Sequence, residues 1–302
     1  MFAAKVFARL YRSPNSFGPC TKAGETAGGS YPRRAPQPGF VATLLATVFC
    51  LGLLGFPEAA HAQTPAGFSN FDDINPKSWL LCSGSCAGGN SPTKIVQNIG
   101  IMKPSLDGKS MQLSISGNGG TNNGWYLYSG AQDSLTTFKL DMYFNVPSKA
   151  FVQALEFDQF QYLHAGSDGV PTDTRLYFGT QCVIGNANGV GNTWWVWDSS
   201  GIGWVDTTKA CNFKVSTTAF NHLVISAHRV TGDTSCFGRP CMHYDSISLN
   251  GTVVVSNKTT NSGALPTGWA EQTGFMIQLD TTGACSNCTI TEYDDKGNFT
   301  IN

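Results

Sequence analysis

Glu156 and Asp158 stand two positions apart in the middle of Phe151 to Tyr162, FVQALEFDQFQY. In an extended chain such residues project from one face about 7 Å apart, so both acids can serve one ligand or one cation. Charged side chains are depleted in strands and costly to desolvate, so acids set among aromatics need a purpose. Two purposes are open. The acids contact a ligand or ion, or they hydrogen-bond buried loop amides and pair with a cation such as Arg175. A second cluster, Trp194, Trp195 and Trp197 with Trp204 after it, offers indole faces to the C–H face of a pyranose ring. Alternation places Trp195 and Trp197 on one face and Trp194 with Val196 on the other, so part of this run belongs to a core. Asp198 follows at a hairpin tip, where an acid ordinarily serves the turn. His222 and His228 share a strand face but lie about 20 Å apart by strand rise, too far to chelate one ion.

Strands must position these groups. Leu135 to Val146 puts Phe138, Leu140, Met142 and Phe144 on one face and Lys139, Asp141 and Tyr143 on the other. Arg175 to Ile184 reads as one strand, Asn192 to Thr207 as a Trp-rich hairpin, and Ala219 to Val230 as a further strand. Asn250-Gly251 between alternating runs signals a type I′ hairpin. Thr273 to Leu279 and Thr289 to Ile301 close the chain. There is no amphipathic helix pattern and no internal repeat. The pattern predicts an all-β domain of antiparallel strands, with one apolar face per strand favouring two stacked sheets over a large barrel. The outer, polar and aromatic face of such a sandwich is expected to be concave.

Composition narrows the setting. Val41 to Phe56 is an uncharged apolar run preceded by Arg33-Arg34 and followed by Ala60-His61-Ala62, the layout of a secretory signal. Residues 1–62 are therefore expected to be removed, leaving 63–302 as one domain, secreted or periplasmic and free of the membrane. From Gln63 onward 13 Lys and Arg face 18 Asp and Glu. This mildly acidic, charge-poor balance argues against nucleic acid as a partner. The eight cysteines of this part, Cys82, Cys86, Cys182, Cys211, Cys236, Cys241, Cys285 and Cys288, form an even set in an exported chain and read as disulfides. Their 105 pairings stay open, with close pairs the natural partners. Cys285-x-x-Cys288 alone has zinc spacing, without a second ligand pair to complete a site. The fingerprints GxSxG, HExxH, P-loop and dinucleotide-binding are all absent.

Three stretches resemble one superfamily, the concanavalin A-like lectins and glucanases. Leu155-Glu156-Phe157-Asp158-Gln159-Phe160 is similar to the EFDTF strand of legume lectins and to the ExDxxE strand of laminarinase-type glucanases. Phe220 to Val224 and Ile247 to Val253 resemble strands of laminin-G-like sandwiches. The resemblance implies a two-sheet antiparallel jelly roll. In the glucanases the first Glu is the nucleophile, and a bulge returns the last Glu to the same face as acid/base. Gln161 stands at that last position here, and an amide cannot donate and recover a proton. In the lectins the Glu and Asp hold metal ions. By that likeness Glu156, Asp158 and Asp168, or Asp173 in its place, are candidate calcium ligands, although Tyr162 replaces the expected Asn.

The resulting expectation is a secreted, disulfide-linked carbohydrate-binding protein. Polysaccharide would lie on a concave sheet face against Glu156, Asp158, Gln161, Trp195, Trp197 and Trp204. Two alternatives remain. One is a glycoside hydrolase or polysaccharide lyase in which Glu156 and Asp158 act with Asp141, Asp198 or Asp206. The other is an adhesive surface protein without a sugar site.

Overall fold

The computed structural model describes residues 66–84, 87–167, 170–184, 191–230, 235–283 and 285–302. The extension and signal expected over residues 1–62, and the candidates Cys86 and Asp168, lie outside them. In chain order the strands are β1 (Ala66–Phe68), β2 (Leu80–Ser83), β3 (Lys94–Asn98), β4 (Met111–Gly117), β5 (Asn122–Ser129), β6 (Thr137–Asn145), β7 (Val152–Leu163), β8 (Thr174–Phe178) and β9 (Thr180–Val183). They continue as β10 (Thr193–Asp198), β11 (Gly203–Ala210), β12 (Asn221–Val230), β13 (Cys241–Leu249), β14 (Thr252–Thr260), β15 (Gly263–Ala264), β16 (Gln272–Thr281) and β17 (Cys288–Ile301).

These strands build the antiparallel two-sheet sandwich. An eight-stranded sheet runs β14-β13-β12-β6-β17-β4-β3, with β1 beside β17. A nine-stranded sheet runs β11-β10-β9-β7-β16-β5-β2, with β8 also on β7 and β15 on β8. The alternation read in β6 sets the core. Phe138, Leu140, Met142 and Phe144 are buried while Lys139, Asp141 and Tyr143 turn outward. The opposing layer comes from Leu155 and Phe157 of β7, Trp125 and Leu127 of β5, and Phe275, Ile277 and Leu279 of β16. Phe144 and Phe157 meet across the sheets with ring centroids 5.2 Å apart.

Two details differ from the sequence pattern. The single strand expected over Arg175 to Ile184 breaks at Gly179 into β8 and β9, so the two ends of β7 have different neighbours on that side. Gly179 is packed closely: a Cβ there would lie 2.9 Å from the Trp197 and Tyr177 side chains and 3.0 Å from Trp204. The second concerns β17. Glu292 and Asp294 pair in register with Leu113 and Met111 and are fully buried on the core side. The Asn250-Gly251 hairpin forms as expected, with φ of 53° and 77°, the two positive values that a type I′ turn requires.

Three disulfides close between described residues: Cys182–Cys211, Cys236–Cys241 and Cys285–Cys288. The CxxC pair is thus a disulfide and not half of a zinc site. Cys82 is disulfide-bonded as well. Cys182–Cys211 ties β9 to the residue just past β11 and so anchors the Trp-rich hairpin between them.

Candidate functional site

The register of the nine-stranded sheet sorts its side chains. Leu155 and Phe157 point to the core, so Glu156, Asp158, Phe160 and Tyr162 occupy the outer face. Across the strands Glu156 is flanked by Gln181 of β9 on one side and Gln278 of β16 on the other. Trp195 of β10 and Asp206 of β11 extend that row, with Gly124 of β5 at the other end. The neighbouring row runs through Asp158 to Met276 and Tyr126. Both rows cross the sheet at about 4.8 Å per strand.

Gln161 is a correction. The β7–β16 ladder is in continuous register from Leu155 to Tyr162, with no bulge. Strict alternation therefore sends Gln161 to the core face, away from Glu156 and Asp158. There its Nε2 donates to Gln132 O and Leu135 O, each at 2.9 Å. The likeness to the ExDxxE strand implied a bulge that the chain does not make, so Gln161 is a loop-anchoring residue and not part of the outer face.

The two acids differ from each other. Asp158 is fully buried. Tyr177 Oη donates to one oxygen at 2.5 Å and Thr180 N to the other at 2.9 Å. Burial pushes its carboxyl up to about 7, while these two bonds pull it down. Both oxygens are thus occupied by the protein, and Asp158 fastens β8 and β9 to β7 at the Gly179 break. Glu156 is 5% exposed and hydrogen-bonded to the Asp280 carboxyl. Burial, then the charges of Asp280 and Asp158, push it well above the usual carboxylate range. Asp280, at the end of β16, is the less buried partner. Burial raises it to about 6, against hydrogen bonds from Glu156, Gln278 and Asn122. Two carboxyls in direct hydrogen bond must share a proton, because each oxygen is otherwise only an acceptor.

Asp280 escaped the sequence reading. It closes a strongly apolar segment, Phe275-Met-Ile-Gln-Leu-Asp280, where only the alternating Gln278 and Asp280 hint at a polar outer face. Its partnership with Glu156 exists only through the β7–β16 pairing.

The other candidate acids lie elsewhere. Asp141 is on the outer face of the opposite sheet, paired with Lys139 at 2.9 Å and His222 at 2.8 Å. Asp198 caps its turn through Ser200 N at 2.8 Å and holds Asn261. Asp206 is three strands from Glu156, about 14 Å by strand spacing. Asp173 accepts from Ala165 N at 2.9 Å. It lies past the far end of β7, about 23 Å from Glu156 by strand rise. Among the described residues no group of three or more His, Cys, Asp or Glu side chains is arranged to hold a metal ion. Asp168, the third candidate calcium ligand, lies outside the described residues.

The tryptophans divide as alternation requires. Trp194 is fully buried in the core. Trp195 and Trp204 are half-buried on the outer face. Trp197 shares that face but is only 6% exposed, packed edge-on to Tyr177 at 5.9 Å and Trp204 at 5.4 Å. It supports Trp204 and offers little face of its own. On the far side of the acids, Tyr126 and Tyr128 stack at 6.1 Å, and Tyr128 is 44% exposed. Nothing in the strand pattern alone marks this tyrosine pair as a site.

No family model matches the chain, and no curated protein does. Several solved structures are similar. The carbohydrate esterase vb_24B_21 from Shiga toxin-encoding bacteriophage phi24B shares 11% identity over 78% of this chain and 100% of that one, with a TM-score of 0.44. The cellulose induced protein Cip1 shares 11% over 78% and 95%, TM-score 0.44. An endo-beta-1,4-glucuronan lyase from the fungus Trichoderma reesei shares 9% over 73% and 94%, TM-score 0.40. Likeness at this level supplies no residue of the site.

Proposed function

We propose that the chain is an exported carbohydrate-binding protein that holds polysaccharide on the outer face of its nine-stranded sheet. The observation that supports this most is the composition of one face. Aromatic rings, the half-buried Trp195 and Trp204 on one side and the half-buried Tyr126 and exposed Tyr128 on the other, flank a polar floor of Gln181, Glu156, Gln278 and Asp280. Indole and phenol rings stack on sugar C–H faces, and amide and carboxyl groups between them suit hydroxyls. Export is supported by the apolar run before residue 63 and by the disulfides. The mature chain is then 63–302.

The hydrolase alternative fits this site less well. A retaining pair stands about 5 Å apart and an inverting pair farther, with the sugar between. Glu156 and Asp280 touch each other directly, which leaves no room for a glycosidic oxygen between them. A glycan array tests the proposal. The wild type is expected to retain defined oligosaccharides, and Trp195→Ala and Tyr126→Ala to lose them while staying folded by circular dichroism. An unbound array, or full retention by both variants, refutes it.

A further inference from the structure

The floor of the outer face holds more hydrogen-bond acceptors than donors. Gln278 Nε2 donates to Asp280 Oδ1 at 3.0 Å and to Ala87 O at 3.4 Å. Asn122 Nδ2 donates to Ala87 O at 2.6 Å. All these partners are acceptors, so the orientation of both amides is determined. Their oxygens are the opposite ends. Gln278 Oε1 and Asn122 Oδ1 are buried and have no donor among the described residues. Gln278 is 3% exposed and Asn122 7%. The proton between Glu156 and Asp280 is already engaged within the pair. Leaving two buried acceptors unmatched costs on the order of 1–3 kcal/mol each.

An anionic ligand would add acceptors and negative charge to such a floor. A ligand rich in hydroxyl donors would meet Asp280, the partly exposed acceptor of the floor. We propose that this floor, with Asp280 as its outward member positioned by the proton shared with Glu156, selects uncharged saccharides and refuses uronates. The inference rests on the glycan-binding reading and names its substrate class.

The surroundings do not offset the charge. Along β7 the next acid is Asp158. From β8 comes the Tyr177 hydroxyl, from β5 that of Tyr126, and from β11 the Asp206 carboxylate. Arg175, on β8, lies opposite Tyr162, three outward positions from Glu156 and about 20 Å by strand rise. Loss of the shared proton would leave two adjacent carboxylates, which repel and part. Burial and mutual charge push Glu156 well above the usual carboxylate range, so the floor is intact in acid and is lost as pH rises through that ionisation.

The test is a glycan array carrying neutral and uronic-acid oligosaccharides, probed in EDTA at pH 5 and pH 9 with wild type, Glu156→Gln and Asp280→Asn. Wild type is expected to bind neutral oligosaccharides only, about tenfold more weakly at pH 9. Glu156→Gln keeps a hydrogen bond to Asp280 and leaves Asp280 alone to titrate, so its binding should fall less with pH than that of wild type. Asp280→Asn should weaken binding at both. Equal or stronger retention of uronates, loss of binding in EDTA, or identical pH profiles for wild type and Glu156→Gln would overturn the proposal. If wild type binds nothing at all, the binding reading fails. The pair is then judged by unfolding alone: wild type should lose stability relative to Glu156→Gln between pH 5 and pH 9, and parallel curves would refute it.

Discussion

Asp158 and Glu156 sit two positions apart on one strand and do different work. Asp158 receives Tyr177 Oη and Thr180 N, so it holds three strands together. Removing the hydroxyl in Tyr177→Phe leaves a buried carboxyl short of a donor. The expected loss is about 1–3 kcal/mol in denaturant unfolding at pH 7. An unchanged midpoint would show that the bond contributes nothing. A second buried pair gives a prediction with a definite pH sign. Glu292 and Asp294 lie in the core, where burial raises Glu292 to about 8 and, with the charge of Glu292, pushes Asp294 well above the usual carboxylate range. The folded protein keeps protons that the unfolded chain releases near the ordinary carboxylate value. The pair's stability is therefore complete in acid and is lost as pH rises through about 8. Glu292→Gln should flatten that fall, seen as a smaller drop in Tm between pH 6 and pH 9 than in wild type. At this scale the sequence showed the outer acids because period-two alternation makes them conspicuous. It could not show Asp280, whose role depends on a partner strand remote in sequence. It misplaced Gln161 because one assumed bulge reverses every side chain beyond it.

At the scale of elements, the strands of the eight-stranded sheet were legible because their outer faces meet water and alternate cleanly, as in β6 and β12. β7 is buried on both faces over nearly its whole length, so its alternation holds no exposed half to confirm it. The β8–β9 break was not legible, because a glycine inside a strand pattern gives no sign of which neighbours crowd it. Gly179→Ala tests that packing. Its methyl would press on Trp197, Tyr177 and Trp204. The near-ultraviolet circular dichroism of the tryptophans should change and glycan binding should weaken several-fold. An unaltered spectrum would mean that the aromatic cluster does not depend on this gap. The Cys182–Cys211 bond closes a loop with a sequence separation of 29. In the chain-entropy model, its replacement by a Ser pair should cost about 3–4 kcal/mol. The loss should appear in equilibrium unfolding under non-reducing conditions.

The whole molecule presents two outer faces, and only one is assigned to the glycan. The nine-stranded face combines Trp195, Trp204, Tyr126 and Tyr128 with the amide and carboxyl floor. The eight-stranded face carries a Tyr143–His222 stack, at 4.3 Å and 6° between planes, beside Asp141. A stacked ring beside a polar group exists on both sides, so composition alone cannot separate them. Site-directed binding can. The most direct test is isothermal titration with the strongest glycan from the array against wild type, Trp195→Ala and Tyr143→Ala. Affinity should fall at least about tenfold in Trp195→Ala and stay at the wild-type value in Tyr143→Ala. Unchanged affinity in Trp195→Ala, with loss in Tyr143→Ala, would place the glycan on the opposite sheet and contradict the account.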